Sequence, residues 1–166
     1  MTNADIAALL LRAALGVILI AHGRNHGWGD GGLDGTTGWF ESIGLRPARV
    51  HAAVSAYLEV AAGAALLLGL MVPFAAAAGV GIMTVAFVTV HRTNGFFIFG
   101  EGEGYEYIGL LTFALVALSV LGAGKVSIDR AIGFNADGGW VGLAVAAAGV
   151  GGAGLMLATS WRPKRS

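Results

Sequence analysis

Cysteine occurs nowhere in the 166 residues of this chain, and charge is scarce: Asp, Glu, Lys and Arg together make up 12 %. The first absence excludes disulfides, thiol relays, cysteine-held iron–sulfur clusters and thiolate zinc sites. The second excludes an ordinary soluble domain, which carries about twice that charged fraction to keep its surface in water. Neither sign of charge predominates, since Lys+Arg and Asp+Glu number ten each. There is therefore no basic field of the kind that binds nucleic acid. What remains is apolar: 56 % of residues are hydrophobic and the mean hydropathy is +0.75. The length suits a single bundle without a second soluble domain.

A membrane-spanning helix needs roughly 20 apolar residues, with about 17 as a lower bound. Five runs approach that length. The first covers 6–21 and is broken only by Arg12, with Asn3 or Asp5 as its expected cap. A cleaved secretory leader fits this run poorly, because its basic residue lies inside the apolar stretch and none precedes it. The second covers 52–72 and contains Glu59; the third opens at Pro73, suited to a first helical turn, and continues to 90. With almost no residues between them, these two form a tight antiparallel hairpin. The fourth, 107–121, is short and reaches spanning length only by taking in Tyr105 and Glu106. The fifth, 140–161, is uncharged and has a tryptophan at each end, as interfacial anchors do. The expectation is an all-α, polytopic membrane bundle embedded in a lipid bilayer.

Glycine occurs 28 times, although it weakens helices in water. In lipid, small residues let helices approach closely. Gly138/Gly142 and Ala147/Gly151 have that small-xxx-small spacing, read here as packing within the bundle. A homo-oligomer contact is the alternative use of the same face.

Two connections are long. The first, 23–50, follows His22 with a glycine-rich stretch that includes His26 and Trp28, and Trp39, Phe40 and Ile43 give it the apolar face of a short interfacial helix ended by Gly44. The other, after the third span, contains His91, Asn94, Phe97, Glu103, Tyr105 and Glu106. Because the chain reverses at every span, both connections lie on one side of the membrane.

Charges inside spans are costly, so they pair or line a cavity. Arg12 and Glu59 have opposite sign and suit a two-pronged ion pair between the first two spans. Fixing helix register is the alternative role of such a pair. A site is favoured by the company these residues keep. His51, Ser55 and Glu59 recur every four residues and so share one helix face, while Thr84 and His91 share a face of the third span. His22, Tyr105 and Glu106 sit at the same membrane side. His22 and His26 have metal-ligand spacing, to which Glu59, His91 and Glu106 could add donors. Gly23 and Gly27 argue against a helix there, so a hydrogen-bonded polar pocket with proton-exchanging histidines is expected instead of a metal site.

Several stretches resemble the DoxX family of integral membrane proteins. They are Leu-Leu-Leu-Arg12-Ala-Ala-Leu-Gly16, Ile20-Ala-His22-Gly, Gly38-Trp-Phe-Glu-Ser-Ile-Gly44-Leu and Tyr57-Leu-Glu59-Val-Ala-Ala-Gly63. The likeness continues through Val90-His91-Arg-Thr-Asn94-Gly95-Phe96-Phe97, Gly104-Tyr105-Glu106-Tyr107 and Gly124-Lys-Val-Ser-Ile-Asp129. The resemblance implies a DoxX-like four-helix domain over 1–133, to which 134–166 adds a fifth span and a basic tail. It also implies similarity in form to a subunit of thiosulfate:quinone oxidoreductase, and to members of an oxidoreductase complex that responds to oxidative stress. A fold transfers more safely than a reaction.

On that basis the leading expectation is a quinone-linked oxidoreductase subunit of the cell membrane, with its pocket between the first four spans. His22, Glu59 and His91 would carry the proton chemistry, while Arg12, Ser55, Asn94, Tyr105 and Glu106 would shape the pocket. No electron carrier is evident in the chain, so a membrane or peripheral redox partner protein would have to deliver electrons. The alternatives are a non-catalytic adaptor or assembly factor that docks through Trp39 and Phe40, and a small-solute or lipid carrier. The carrier reading is weakened by the lack of an inverted internal repeat.

Overall fold

The computed structural model describes residues 1–163, so Lys164 and Arg165 of the basic tail lie outside the described residues. Seven α-helices are present and no strand is, among the described residues. The first, α1, runs Asn3–Trp28 and begins with a capping box in which Thr2 and Asp5 satisfy each other's backbone N–H groups. Thr2 is therefore the cap and Asp5 its reciprocal partner.

Helix α1 does not stop at Ala21 but continues through Gly23 and Gly27. The glycine at 23 is a point of close approach and not a break: a Cβ there would lie 2.7 Å from the Ala56 carbonyl oxygen. The same device recurs one helical level deeper, where Gly16 and Gly63 bring α1 and the third helix backbone to backbone. After a turn at Gly31, where φ is +83°, α2 spans Gly32–Ser42. This is the short helix expected from Trp39, Phe40 and Ile43.

Helices α3 (Ala48–Leu68) and α4 (Val72–Ala86) form the expected hairpin around Gly69, whose φ of +64° suits a residue without a side chain. The end of α4 widens into a π-helical turn over Phe87–His91. Helix α5 (Glu106–Leu121) takes in Glu106 but uses Tyr105 as its cap, and at 16 residues extends about 24 Å. A single turn, α6 (Ile128–Ala131), precedes α7 (Gly139–Ser160).

Helices α1, α3, α7 and the joined α4–π segment are each long and apolar enough to cross a membrane, and α5 is a shorter apolar helix. Helix α4 is the centre of the bundle, packing on α3, α5 and α7, while α1 lies along α3. Leu15, Leu19, Leu66, Val80, Leu115 and Leu118 fill the main core. On α7, Gly142 packs against Val120 of α5 and Gly149 against Val80 of α4, whereas a Cβ at Gly151 would meet nothing within 4 Å.

Candidate functional site

The expected ion pair between Arg12 and Glu59 does not form. The Arg12 guanidinium donates four hydrogen bonds, all to backbone carbonyls: Leu66 at 2.8 Å, Leu67 at 2.8 Å, Ala123 at 2.8 Å and Val126 at 2.6 Å. Leu66 and Leu67 belong to the last turn of α3, where carbonyls lack the regular intrahelical partner four residues on and a cation is favoured; the Leu66 oxygen also accepts from the Gly69 N–H. Asp129 answers on the other arm of the same hairpin. It is buried and accepts from the backbone N–H of Met71 (2.6 Å) and Val72 (3.0 Å), at the start of α4. Its own N–H bonds the Gly69 carbonyl at 2.8 Å. Arg12 thus closes the end of one helix and Asp129 the start of the next. Glu59 lies nine residues before the end of α3, about 14 Å along the axis from that turn.

Glu59 is 1 % exposed and has a different circle. Ser55 donates its hydroxyl to Oε1 at 2.5 Å, and His26 Nδ1 is 3.2 Å from the same oxygen and 3.2 Å from the Ser55 hydroxyl. Oε2 has no hydrogen-bond partner among the described residues. The four-residue spacing of Ser55 and Glu59 brings them together on α3, as the sequence implies. Sequence reasoning weighs His26 only as a metal ligand beside His22 and leaves it out of the pocket. Once α1 continues beyond Gly23, the buried series Leu15, Leu19, Gly23 extends by helical spacing to His26. Trp39 and Phe40 flank its ring, with centroids 5.9 and 6.1 Å away. Helix α2 is tied there by Thr36, which donates to the His26 carbonyl at 2.8 Å.

This trio lines a cavity of about 400 Å³. One wall is the α3 face of His51, Ser55 and Glu59, and another is Gly81, Ile82 and Val85 of α4. Thr89 and Val90 of the π-helical turn extend that wall toward the loops, and Gly149, Gly152 and Met156 of α7 form the third. The pocket was expected between the first four spans; instead the fifth supplies a wall and no lining residue comes from α5. Its walls are apolar, with polar atoms concentrated at the Glu59 cluster, so it is not a polar pocket throughout.

Other expected site residues lie elsewhere. His22 is exposed, its ring 6.4 Å from that of Tyr107. His91 Nδ1 is 2.6 Å from the Glu103 carbonyl oxygen. Asn94 donates to the Gly102 carbonyl at 2.5 Å, and Glu106 accepts from the Ile98 N–H at 3.2 Å. Tyr105 packs edge-on against Phe87 and Phe96. These four hold the 92–105 loop in shape, and none of them, nor His22, lines the cavity. The docking surface expected from Trp39 and Phe40 is halved, since Phe40 is buried against Leu45, Ala48 and Leu157. No group of three or more His, Asp or Glu side chains is arranged to hold a metal among the described residues.

The family model for DoxX matches residues 7–92, just over half of the chain. The chain belongs to the DoxX family. Comparison with curated proteins and with solved structures gave no match. The matched stretch contains α1 to α4 with the π-helical turn, and so contributes Arg12 and the whole His26–Ser55–Glu59 cluster of this DoxX-family protein. Asp129 and the α7 wall of the cavity lie beyond it.

Proposed function

We propose that this DoxX-family protein is a quinone-linked subunit of a membrane oxidoreductase in the cell membrane. The observation that carries this reading is the Glu59 carboxyl, buried in the wall of an apolar cavity, bonded through Oε1 and, among the described residues, without a hydrogen-bond partner at Oε2. An ionisable group inside a membrane bundle is costly, and one left half-satisfied beside a cavity is fitted to a ligand that completes it.

A bound quinone would supply carbonyl oxygens that take up two protons as two electrons arrive. Glu59, when protonated, is an O–H donor for such an oxygen. Ser55 holds Oε1, which leaves Oε2 as the free edge of the carboxyl. His26, in hydrogen-bond contact with the Ser55 hydroxyl, 3.2 Å from the same Oε1 and partly exposed, is placed to return a proton to the cluster from the loop end of α1. Aromatic rings at Trp39 and Phe40 give a flat ligand an apolar surface to lie against. The electrons have to come from a redox partner protein, because the chain has no cysteine for a thiol or cluster carrier. Membership of an assembly that responds to oxidative stress belongs to the same reading.

The test uses the protein in lipid nanodiscs and a quinone without a tail. Quinone binding is expected to quench tryptophan fluorescence, with the quench lost in Trp39→Phe. Glu59→Leu should weaken this binding by about tenfold, the loss of one good hydrogen bond, whereas Glu59→Gln keeps an N–H donor at that edge and should bind nearly as wild type. In native membranes Glu59→Gln, which has no proton to give up, should lose quinone-dependent turnover while its thermal unfolding is unchanged. Wild-type turnover in Glu59→Gln, or wild-type binding in Glu59→Leu, would overturn the role given to the carboxyl.

A further inference from the structure

We infer that the same site takes a ligand with a neutral ring-shaped head and a long hydrocarbon tail, admitted sideways from the bilayer through a groove between α3 and α7. Gly152 selects for the tail. The inference rests on the quinone reading and goes beyond it in assigning a route, a tail site and the residue that controls it.

Three observations define the route. Helices α3 and α7 each pack extensively on α4 and share a buried cluster near the loop end, where Ala48 and Ala52 join Leu157, while between them α4 side chains from Ala77 to Val85 line the cavity. Along the α3 edge of this gap Val54 is 52 % exposed and Leu58 40 % exposed, which suits contact with lipid. At the loop end the gap is tied shut. The Arg46 N–H bonds the Ser160 carbonyl at 2.8 Å, the Arg162 N–H bonds that of Gly44 at 2.7 Å, and the Trp161 indole N–H bonds that of Ile43 at 2.9 Å. A cavity tied at its aqueous end and uncovered along its flank is filled from the membrane.

The chemistry of the lining selects the head. Among the described residues the ionisable side chains in it are His26, His51 and Glu59, with no Lys or Arg. A phosphate head would meet an acid and lack a cationic partner, whereas a carbonyl oxygen can accept from Glu59 or His26. From Ala77 to Val90 the α4 wall extends about 20 Å, long enough for several isoprene units beyond the head. Since a tail gains nothing hydrophobic on moving from lipid to protein, shape must do the selecting. Gly152 lines the groove, and a Cβ built on it meets no atom within 4 Å. A larger side chain there would occupy the groove without displacing a helix.

The test compares quinones of one head group with no tail, or with a polyisoprenoid tail, at matched mole fractions in nanodiscs. Wild type should bind the tailed form. Gly152→Leu should lose about tenfold in affinity for it while binding the tail-less form within about twofold of wild type. Gly151→Leu is the control, because that position has equal space but does not line the cavity. Both variants should unfold at the wild-type temperature. Undiminished binding of the tailed quinone by Gly152→Leu would overturn the tail site while leaving the head site standing. Failure of wild type to bind any quinone would overturn the reading of the site itself and this inference with it. Selective retention of a phospholipid in its place would identify the groove as a lipid site without redox chemistry.

Discussion

Two buried charged clusters each tie α1 to α3, and they are finished differently. At the α3–α4 turn, Arg12 and Asp129 satisfy backbone groups on both arms of the hairpin, and every polar atom of the Arg12 and Asp129 side chains is partnered or has access to solvent. About 14 Å away along α3, Glu59 has one oxygen bonded and one with no hydrogen-bond partner among the described residues, beside a cavity. Burial of charge alone therefore says little about function in a membrane bundle. A complete set of bonds to helix ends marks a structural charge, whereas an incomplete set beside a cavity marks one that has something left to bind.

The comparison can be broken at either end. Arg12→Leu should have the largest effect on stability, because it removes the donor from four carbonyls, two at the end of α3 and two in the connection between α5 and α6. About 3–5 kcal/mol is expected, the scale for removing one member of a buried charged set, read as a lower unfolding temperature in detergent or nanodiscs. If Arg12→Leu unfolded like wild type, the structural role given to this cluster would be lost. Asp129→Ala comes next, at about 1–3 kcal/mol, for two backbone N–H groups of α4 left unbonded. Asp129→Asn should recover part of that loss, since its side-chain carbonyl can still accept one of the two. The smallest stability change belongs to Glu59→Gln, within about 1 kcal/mol, because the amide oxygen can still accept from Ser55. The same substitution should have the largest effect on quinone-dependent turnover. A Glu59→Gln protein that lost stability on the scale of Arg12→Leu would erase the distinction between the two clusters.

Much of the fold can be read from the sequence because its signals are local. Apolar length marks the spans, Pro73 marks the start of the hairpin's second arm, and Trp39, Phe40 and Ile43 mark α2. Ser55 and Glu59 could be placed together because they share a helix and a four-residue spacing. Arg12 could not be placed, since its partners are backbone carbonyls, which carry no signature in the sequence. Glu59 stands out in the sequence as the acid inside an apolar run, but Asp129 is the acid that belongs to the same turn. His26 was obscured by its glycine neighbours. Glycine after a histidine suggests a loop, but Gly23 serves the approach of α1 to α3 and the helix continues. The contribution of α7 to the cavity was hidden for another reason. It depends on which helix fills the space beside α4, and no pattern within α7 reports that.

The position of α7 also orders events during the making of the protein. Chains emerge amino-terminal end first, and segments assemble as they appear. When α1 and α3 have met, the backbone of α1 at Gly23 lies against the Glu59 Cβ and the His26–Ser55–Glu59 cluster has all its members. The third wall of the cavity arrives only with the last helix, and the hydrogen bonds between residues 43–46 and 160–162 can form only after that. The nascent chain thus assembles its acid cluster early and completes its binding chamber last, so a ribosome stalled before residue 139 would hold the cluster with one wall of its cavity still missing.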